Sequence, residues 1–326
     1  MPKVSILTPV FNTAGYLERH RSSVLAQTLP DWELVYFDDG STDGSAAILQ
    51  SFAASDPRVK FLRFGANRGV AAVRNALLDA ATGEFVYFLD SDDWIDADFL
   101  ETMVARAEQT GRDVVVNSHY VKEFDDPSKN VTSGRFGFLE GDGDYPAWQV
   151  VTFFPPNLAC RLFRLRSLRA HQVRFPDMRN GEDNYFTSLA EMLQPQCYVF
   201  RGPCHHYYQR PGSLVHQKGV GYSYILSFKY LYEALVARGI DTEPLRLFYA
   251  DQIILDSEEK FEVTRSFLTV IRDQVLRHPE LYVARDLFLL DAVCACPDYS
   301  TFLARYSPNI DLCFLRHRMR SGAGLK

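Results

Sequence analysis

The 326-residue chain has 47% hydrophobic and 23% charged residues, ample apolar material for a core, and a formal net charge of -6. Its length suits one core domain with an extension better than two equal halves, and the acidic balance excludes a general nucleic-acid binder, because a phosphate backbone selects a basic face. No run approaches the roughly 18 consecutive apolar residues of a membrane span.

The chain opens Met1-Pro2-Lys3 and runs directly into the alternation of Val4, Ile6 and Val10. With no charged leader ahead of a long apolar region, the expectation is a protein that is not secreted. Residues 1–120 alternate short β-rich runs with amphipathic helical patterns, which predicts a parallel sheet with crossover helices. Strands are predicted at Val4 to Pro9, Glu33 to Asp38, Val59 to Phe64, Phe85 to Asp90 and Val114 to Asn117, and helices near 15–28, 43–54, 68–81 and 97–109. From Glu123 to Tyr145 the composition turns to Gly, Asp and Ser, as in DDPSKN and GDGD, and predicts a long surface loop. Mixed structure is expected over 148–217. From about Tyr222 helix follows helix, with apolar residues three and four apart through LSFKYLYEAL and QIILDSEEKFEV. The boundary expected from this pattern separates an α/β domain at 1–217 from a helical C-terminal region at 218–326.

Six cysteines, at 160, 197, 204, 294, 296 and 313, include only one Cys-x-Cys pair, without the spacing of a zinc site, so reduced buried thiols and a cytoplasmic setting are expected. The helical stripe Tyr224, Phe228, Leu231 and Leu235 fits either a homo-oligomer contact or the core of a monomer. The terminal run from Phe314 to Arg320 is either a solvated tail or a basic patch for peripheral contact with an anionic inner leaflet.

Ligands of an open parallel sheet bind beyond the carboxyl ends of its strands, so polar clusters there carry functional weight. Pro9-Val10-Phe11-Asn12 follows the first strand and Asp38-Asp39-Gly40-Ser41-Thr42-Asp43 the second. The latter reads as a turn with Ser41 or Thr42 as N-cap, or as a site where Asp39 accepts a hydrogen bond from a base imide. Asp90-Ser91-Asp92-Asp93 closes the fourth strand, and its Asp-x-Asp puts two carboxylates on one side of an extended chain. Such a pair holds Mg²⁺ or Mn²⁺ while leaving positions for diphosphate oxygens, or else merely caps the helix near Ala97. Downstream, Asn180-Gly181-Glu182-Asp183 precedes a helical run, where Glu182 or Asp183 is a cap or a general base.

Taken in order, VSILTPVFN, SSVLAQT, WELVYFDDGSTDGS, NRGVAAVRNALLDAATGEFVYFLDSDD and GEDNYF resemble the family 2 glycosyltransferases of the GT-A fold over roughly residues 3–215. The resemblance implies an α/β fold with a mostly parallel central sheet, followed here by the α-helical extension, and an inverting transfer from a nucleotide-diphosphate sugar, UDP-linked by preference. It places Pro9 and Phe11 in the base pocket, Asp39 on the uracil, Arg74 over the nucleotide, Asp90 and Ser91 near the ribose, and Asp92 on the metal and diphosphate. Asp183 becomes the catalytic base and Glu182 shapes the acceptor site; the acceptor is a saccharide or lipid-linked saccharide of surface polysaccharide assembly. One departure concerns the late Tyr-Arg-x-x-Pro-Gly-Ser motif, where this chain has His205-His206-Tyr207-Tyr208-Gln209-Arg210-Pro211-Gly212-Ser213. Tyr208 takes the usual arginine position, so Arg210 is the candidate phosphate contact, and His205, His206 and His216 are candidates for the metal or diphosphate. Two other readings are a non-catalytic nucleotide-sugar or glycan binder, against which the full set of carboxylates speaks, and a sugar nucleotidyltransferase, whose Gly-rich basic loop is missing from PVFNTAGY.

Overall fold

A computed structural model describes residues 1–132, 141–154, 158–178, 180–210, 220–242, 258–277 and 284–306. The chain forms two compact units, Met1–Ser213 and Leu214–Lys326.

In the first unit, β1 (Val4–Val10), α1 (Leu17–Leu25), β2 (Trp32–Asp38), α2 (Ser45–Ser55), β3 (Val59–Arg63), α3 (Val70–Ala80) and β4 (Phe85–Phe88) alternate as the periodicity predicts. Then come β5 (Trp94–Ile95), α4 (Phe99–Thr110), β6 (Val114–Asn117), β7 (Tyr120–Glu123), β8 (Val131–Thr132), β9 (Gly143–Pro146) and α5 (Ala147–Phe153). The unit continues with β10 (Arg161–Arg164), α6 (Leu165–Ala170), α7 (Glu182–Met192), β11 (Gln196–Phe200) and β12 (His205–Tyr208).

An eight-stranded sheet has the order β3-β2-β1-β4-β10-β6-β11-β9. Neighbours are parallel except that β10 runs antiparallel between β4 and β6, and β9 is antiparallel to β11. The chain winds outward from β1 to β3 and returns to place β4 on the other side of β1, so the strand order reverses at β1 and opens a crevice at its carboxyl end. All four residues of β4 are buried, as a central strand covered on both faces requires. One face packs Ile6, Leu34, Tyr36 and Tyr87 against Leu17, Val24, Phe99 and Met103 from the helices.

A second sheet, β5-β12-β7-β8, sets β12 beside Trp94 and Ile95, just past the acidic turn. The expectation of one long loop over 123–145 is corrected where the structure describes it: Val131 and Thr132 pair with β7, and Gly143–Pro146 forms an edge strand on β11. Short edge strands take their order from the neighbouring strand more than from intrinsic propensity, so composition hides them.

The second unit contains α8 (Val220–Ala237), α9 (Glu258–Arg277), α10 (Ala284–Ala295) and α11 (Tyr299–Tyr306). Phe228, Leu231 and Leu235 are buried, which makes this stripe core and corrects the oligomer-contact reading for those three residues. The basic run 314–320 and His216 lie outside the described residues. Cys160, Cys197, Cys204 and Cys296 are free and buried, and Cys294 is free and half-buried. No helix among the described residues is long and apolar enough to cross a membrane.

His20 of α1 is fully buried between Thr8 Oγ1 at 3.2 Å from Nε2 and Tyr36 Oη at 3.0 Å from Nδ1. Burial pushes its pKa down to about 4, so the folded state refuses a proton that the unfolded chain accepts near 6.5. Stability from this group is complete above pH 6.5 and falls as the pH drops toward 4, by on the order of 3 kcal/mol. Urea denaturation across that window should show a shallower pH dependence for His20→Gln than for the wild type; equal slopes would remove His20 from the account.

Candidate active site

The loops after β1 and β2 are knitted into one rim. Asn12, at φ 52°, donates its N–H to Ser41 Oγ (2.9 Å) and accepts the Thr42 N–H on Oδ1 (2.9 Å). Asp43 accepts the N–H groups of Ala14 (3.1 Å) and Ser45 (2.9 Å), and Ser45 Oγ accepts the Thr13 N–H (3.1 Å). Ser41 and Thr42 are therefore not N-caps, as the turn reading had them; helix α2 begins at Ser45 with Gly44 at its N-cap, and the Ser41 hydroxyl serves the neighbouring loop. Gly40 is required here: its φ is +76°, and a Cβ would lie 2.9 Å from the Ala66 backbone.

Behind this rim, Asp38 is buried and paired with Arg63 Nε at 2.9 Å. Asp39 turns toward the segment before α3, each oxygen accepting one backbone N–H, from Arg68 (2.8 Å) and Gly69 (3.0 Å). A carboxylate has about four lone-pair sites, so each oxygen keeps accepting capacity. Pro9 is half-buried, and Phe11 is 42% exposed on the rim.

At the end of β4 the structure revises the extended Asp-x-Asp geometry. The strand stops at Phe88, and the Asp93 N–H donates to the Asp90 carbonyl at 3.0 Å, closing residues 90–93 into a turn. Ser91 is buried in that turn. The carboxylates do not serve α4 as caps: the helix begins at Phe99, and the Leu100 N–H goes to Gln27 Oε1 at 3.0 Å. Arg74, from α3, is 6% exposed and joins two elements, with Nη1 to Glu182 Oε1 at 2.6 Å and Nη2 to Asp90 Oδ1 at 3.1 Å. Both of its terminal nitrogens engage protein carboxylates.

Glu182 and Asp183 are the first residues of α7, entered through Gly181 in the left-handed region at φ 85°. Phe186, one turn on, anchors this helix, stacked on Phe175 with centroids 4.0 Å apart and edge-on to Phe88 and Phe163. Glu182 is committed to Arg74, whereas the half-buried Asp183 accepts the Asn184 N–H at 2.9 Å.

Strand β12 completes the site. Asp93 is buried and accepts from His205 Nε2 (3.0 Å) and from the Tyr208 N–H (2.9 Å), while His205 Nδ1 meets Tyr87 Oη at 2.9 Å. His206 lies between Glu123 (2.7 Å) and Asp96 (3.1 Å), stacked on Trp94 at 5.0 Å. Both ring nitrogens of each histidine are engaged within the protein. Arg210 does reach the acidic turn, with Nε 2.9 Å from Asp92 Oδ2.

Residues that the sequence reading missed are Asp93, the third acid of DSDD, and Arg19. The Arg19 guanidinium packs 3.7 Å from the Trp94 ring and 4.7 Å from that of Tyr208, and donates to the Asp92 carbonyl at 3.0 Å. No sequence pattern marked Arg19, because it sits on an ordinary amphipathic helix.

Like charges crowd this site. Burial, with Asp93 and Asp90 nearby, pushes Asp92 up to about 7. Burial and Asp183 push Glu182 up to about 7 against the pull of Arg74, and burial raises Asp183 as well. Among the described residues no group of three or more His, Cys, Asp or Glu side chains forms a metal cage. Two hard carboxylates, Asp90 and Asp92, fit instead the kind of Mg²⁺ or Mn²⁺ site that is completed by phosphate oxygens.

The model for "Glycosyl transferase family 2" matches residues 5–168. Putative glycosyltransferase EpsH of Bacillus subtilis is 32% identical over 222 residues, covering 66% of this chain and 63% of EpsH, so the chain spans less than two thirds of that relative. Succinoglycan biosynthesis protein ExoO of Rhizobium meliloti is 28% identical over 287 residues, 83% of this chain and 77% of ExoO. Among solved structures, S. aureus TarS 1-349 in complex with UDP-GlcNAc superimposes with a TM-score of 0.77 at 18% identity, covering 99% of this chain and 93% of that one. That likeness establishes the fold as GT-A.

Because Arg74 is the buried counter-ion of two carboxylates, Arg74→Met should cost about 3–5 kcal/mol in chemical denaturation, the penalty for stranding a buried charge. Adding Glu182→Gln should return part of that loss; strictly additive losses in the double variant would show that the two side chains are not coupled.

Proposed function

The chain belongs to glycosyl transferase family 2, and we propose that it moves a sugar from a nucleoside-diphosphate donor onto a hydroxyl of a saccharide or lipid-linked acceptor, inverting the anomeric centre. The observation carrying this reading is the convergence, through Arg74, of the acidic turn after β4 and the first residues of α7.

In this reading Pro9 and Phe11 border the base, and the spare lone pairs of Asp39 accept from a base imide. Asp90 and Ser91 lie toward the ribose. Asp92, with Asp90, would hold Mg²⁺ or Mn²⁺, which when bound neutralises charge on the departing diphosphate. Asp183 removes the proton from the acceptor hydroxyl, since Glu182 is tied to Arg74 and Asp183 is the freer carboxylate of the pair. Burial raises its pKa, the direction that makes a carboxylate a stronger base. Glu182 then shapes the acceptor side and holds the helix start in place. Attack is a single in-line displacement and needs no covalent enzyme intermediate.

A UDP-sugar is the first donor to test, supported by the UDP-GlcNAc bound in the fold relative TarS. A role in surface polysaccharide assembly is supported by the likeness to ExoO, a succinoglycan biosynthesis protein. A lipid-linked acceptor would bring the chain to the cytoplasmic face of the membrane, where the basic run Arg316 to Arg320 would meet anionic lipid.

Release of nucleoside diphosphate should be followed with Mn²⁺ or Mg²⁺ over UDP, GDP and dTDP sugars. One donor class should be turned over, with Asp92→Ala and Asp183→Ala each lowering the rate by about 10²–10⁴. Turnover of no donor would leave a non-catalytic binder, and full activity in both variants would overturn the assignment of roles.

A further inference from the structure

Resting on the reading of Asp92 as the metal carboxylate, we propose that Arg210 is an internal stand-in for the divalent cation. Free metal then binds weakly until a nucleoside diphosphate draws the guanidinium away.

Three guanidinium groups serve the acidic turn, and they differ in freedom. Arg74 is buried and bridges two carboxylates. Arg19 is held by the Trp94 and Tyr208 rings and spends Nη2 on the Asp92 carbonyl. Arg210 has its side chain 28% exposed and makes its ion pair with the Asp92 carboxylate itself, through Nε. A guanidinium stays protonated at any working pH, so it does not leave Asp92 by losing its own charge, and a divalent cation bound at this carboxylate takes its place.

The backbone that carries it is fixed. The Tyr208 N–H is bonded to Asp93, the Gln209 N–H to the Glu123 carbonyl at 2.8 Å, and the Arg210 N–H to the Tyr208 carbonyl at 3.2 Å. Exchange therefore needs only side-chain rotation, and a released guanidinium stays beside the turn, where a diphosphate offers it a bidentate partner. Metal binding and diphosphate binding become linked, each strengthening the other by the same factor.

The test titrates Mn²⁺ into the full chain and follows the free-ion electron paramagnetic resonance signal, with and without UDP. Far-UV circular dichroism checks that each variant is folded. Without nucleotide, Arg210→Gln should bind Mn²⁺ about tenfold more tightly than the wild type, and UDP should enhance its Mn²⁺ affinity less than it does that of the wild type. Arg210→Lys, which keeps the charge, should stay near the wild type. Equal or weaker Mn²⁺ binding by Arg210→Gln, with binding lost in Asp92→Asn, would overturn the stand-in and leave the metal assignment intact. Mn²⁺ binding unchanged in Asp92→Asn would overturn both.

Discussion

The salt bridges of Arg74 are the constraint on which the site depends. One guanidinium, buried and rooted in α3, holds Asp90 at the end of β4 and Glu182 at the start of α7, 108 positions away in sequence. Burying such a group is favourable only when its charge is met, and here two carboxylates meet it. The consequence is geometric: the residue after Glu182, Asp183, is brought to the crevice where the strand order reverses. The aromatic stack of Phe175 and Phe186 fixes the same helix from the apolar side, so α7 is held at its first turn by charge and at its second by packing.

The second sheet supplies what the first cannot. The strand ends of β1, β2 and β4 give carboxylates and loop amides at the rim. By pairing with Trp94–Ile95, β12 brings a late segment of the chain against the acidic turn, and the Asp93 contacts to His205 and the Tyr208 N–H fasten it there. Arg210 follows by chain continuity. The histidines, which look like ligands in sequence, act as fasteners: burial lowers His205 to about 3, favouring a neutral ring that bridges Asp93 and Tyr87.

Much of the fold was readable because alternating hydrophobic periods are local. Up to Asn117 the predicted strands and helices fall within a few residues of their observed bounds, and only the two-residue strand Trp94–Ile95 was not foreseen. Asp90, Asp92 and Glu182 stood out as acids after a predicted strand or at a predicted helix start, and Arg210 through the late motif. What could not be read was who pairs with whom. That both terminal nitrogens of Arg74 meet carboxylates is not visible in the sequence, and Arg19 carries no pattern at all. β9, spelled GDYP, is invisible by propensity because β11 imposes its conformation. The Asp-x-Asp argument assumed a strand where the structure has the turn that the Asp93 N–H closes.

The central claim is that the crevice at the carboxyl ends of β1, β2 and β4 holds the nucleotide, with the metal on Asp92. Anomalous diffraction at the manganese edge, from crystals grown with Mn²⁺ and UDP, tests it most directly. The account predicts one peak about 2.1 Å from an Asp92 carboxylate oxygen, with the uracil between Phe11 and Asp39 and Arg210 turned to the diphosphate. UDP bound away from this crevice, or bound within it with no metal at Asp92, would contradict the account.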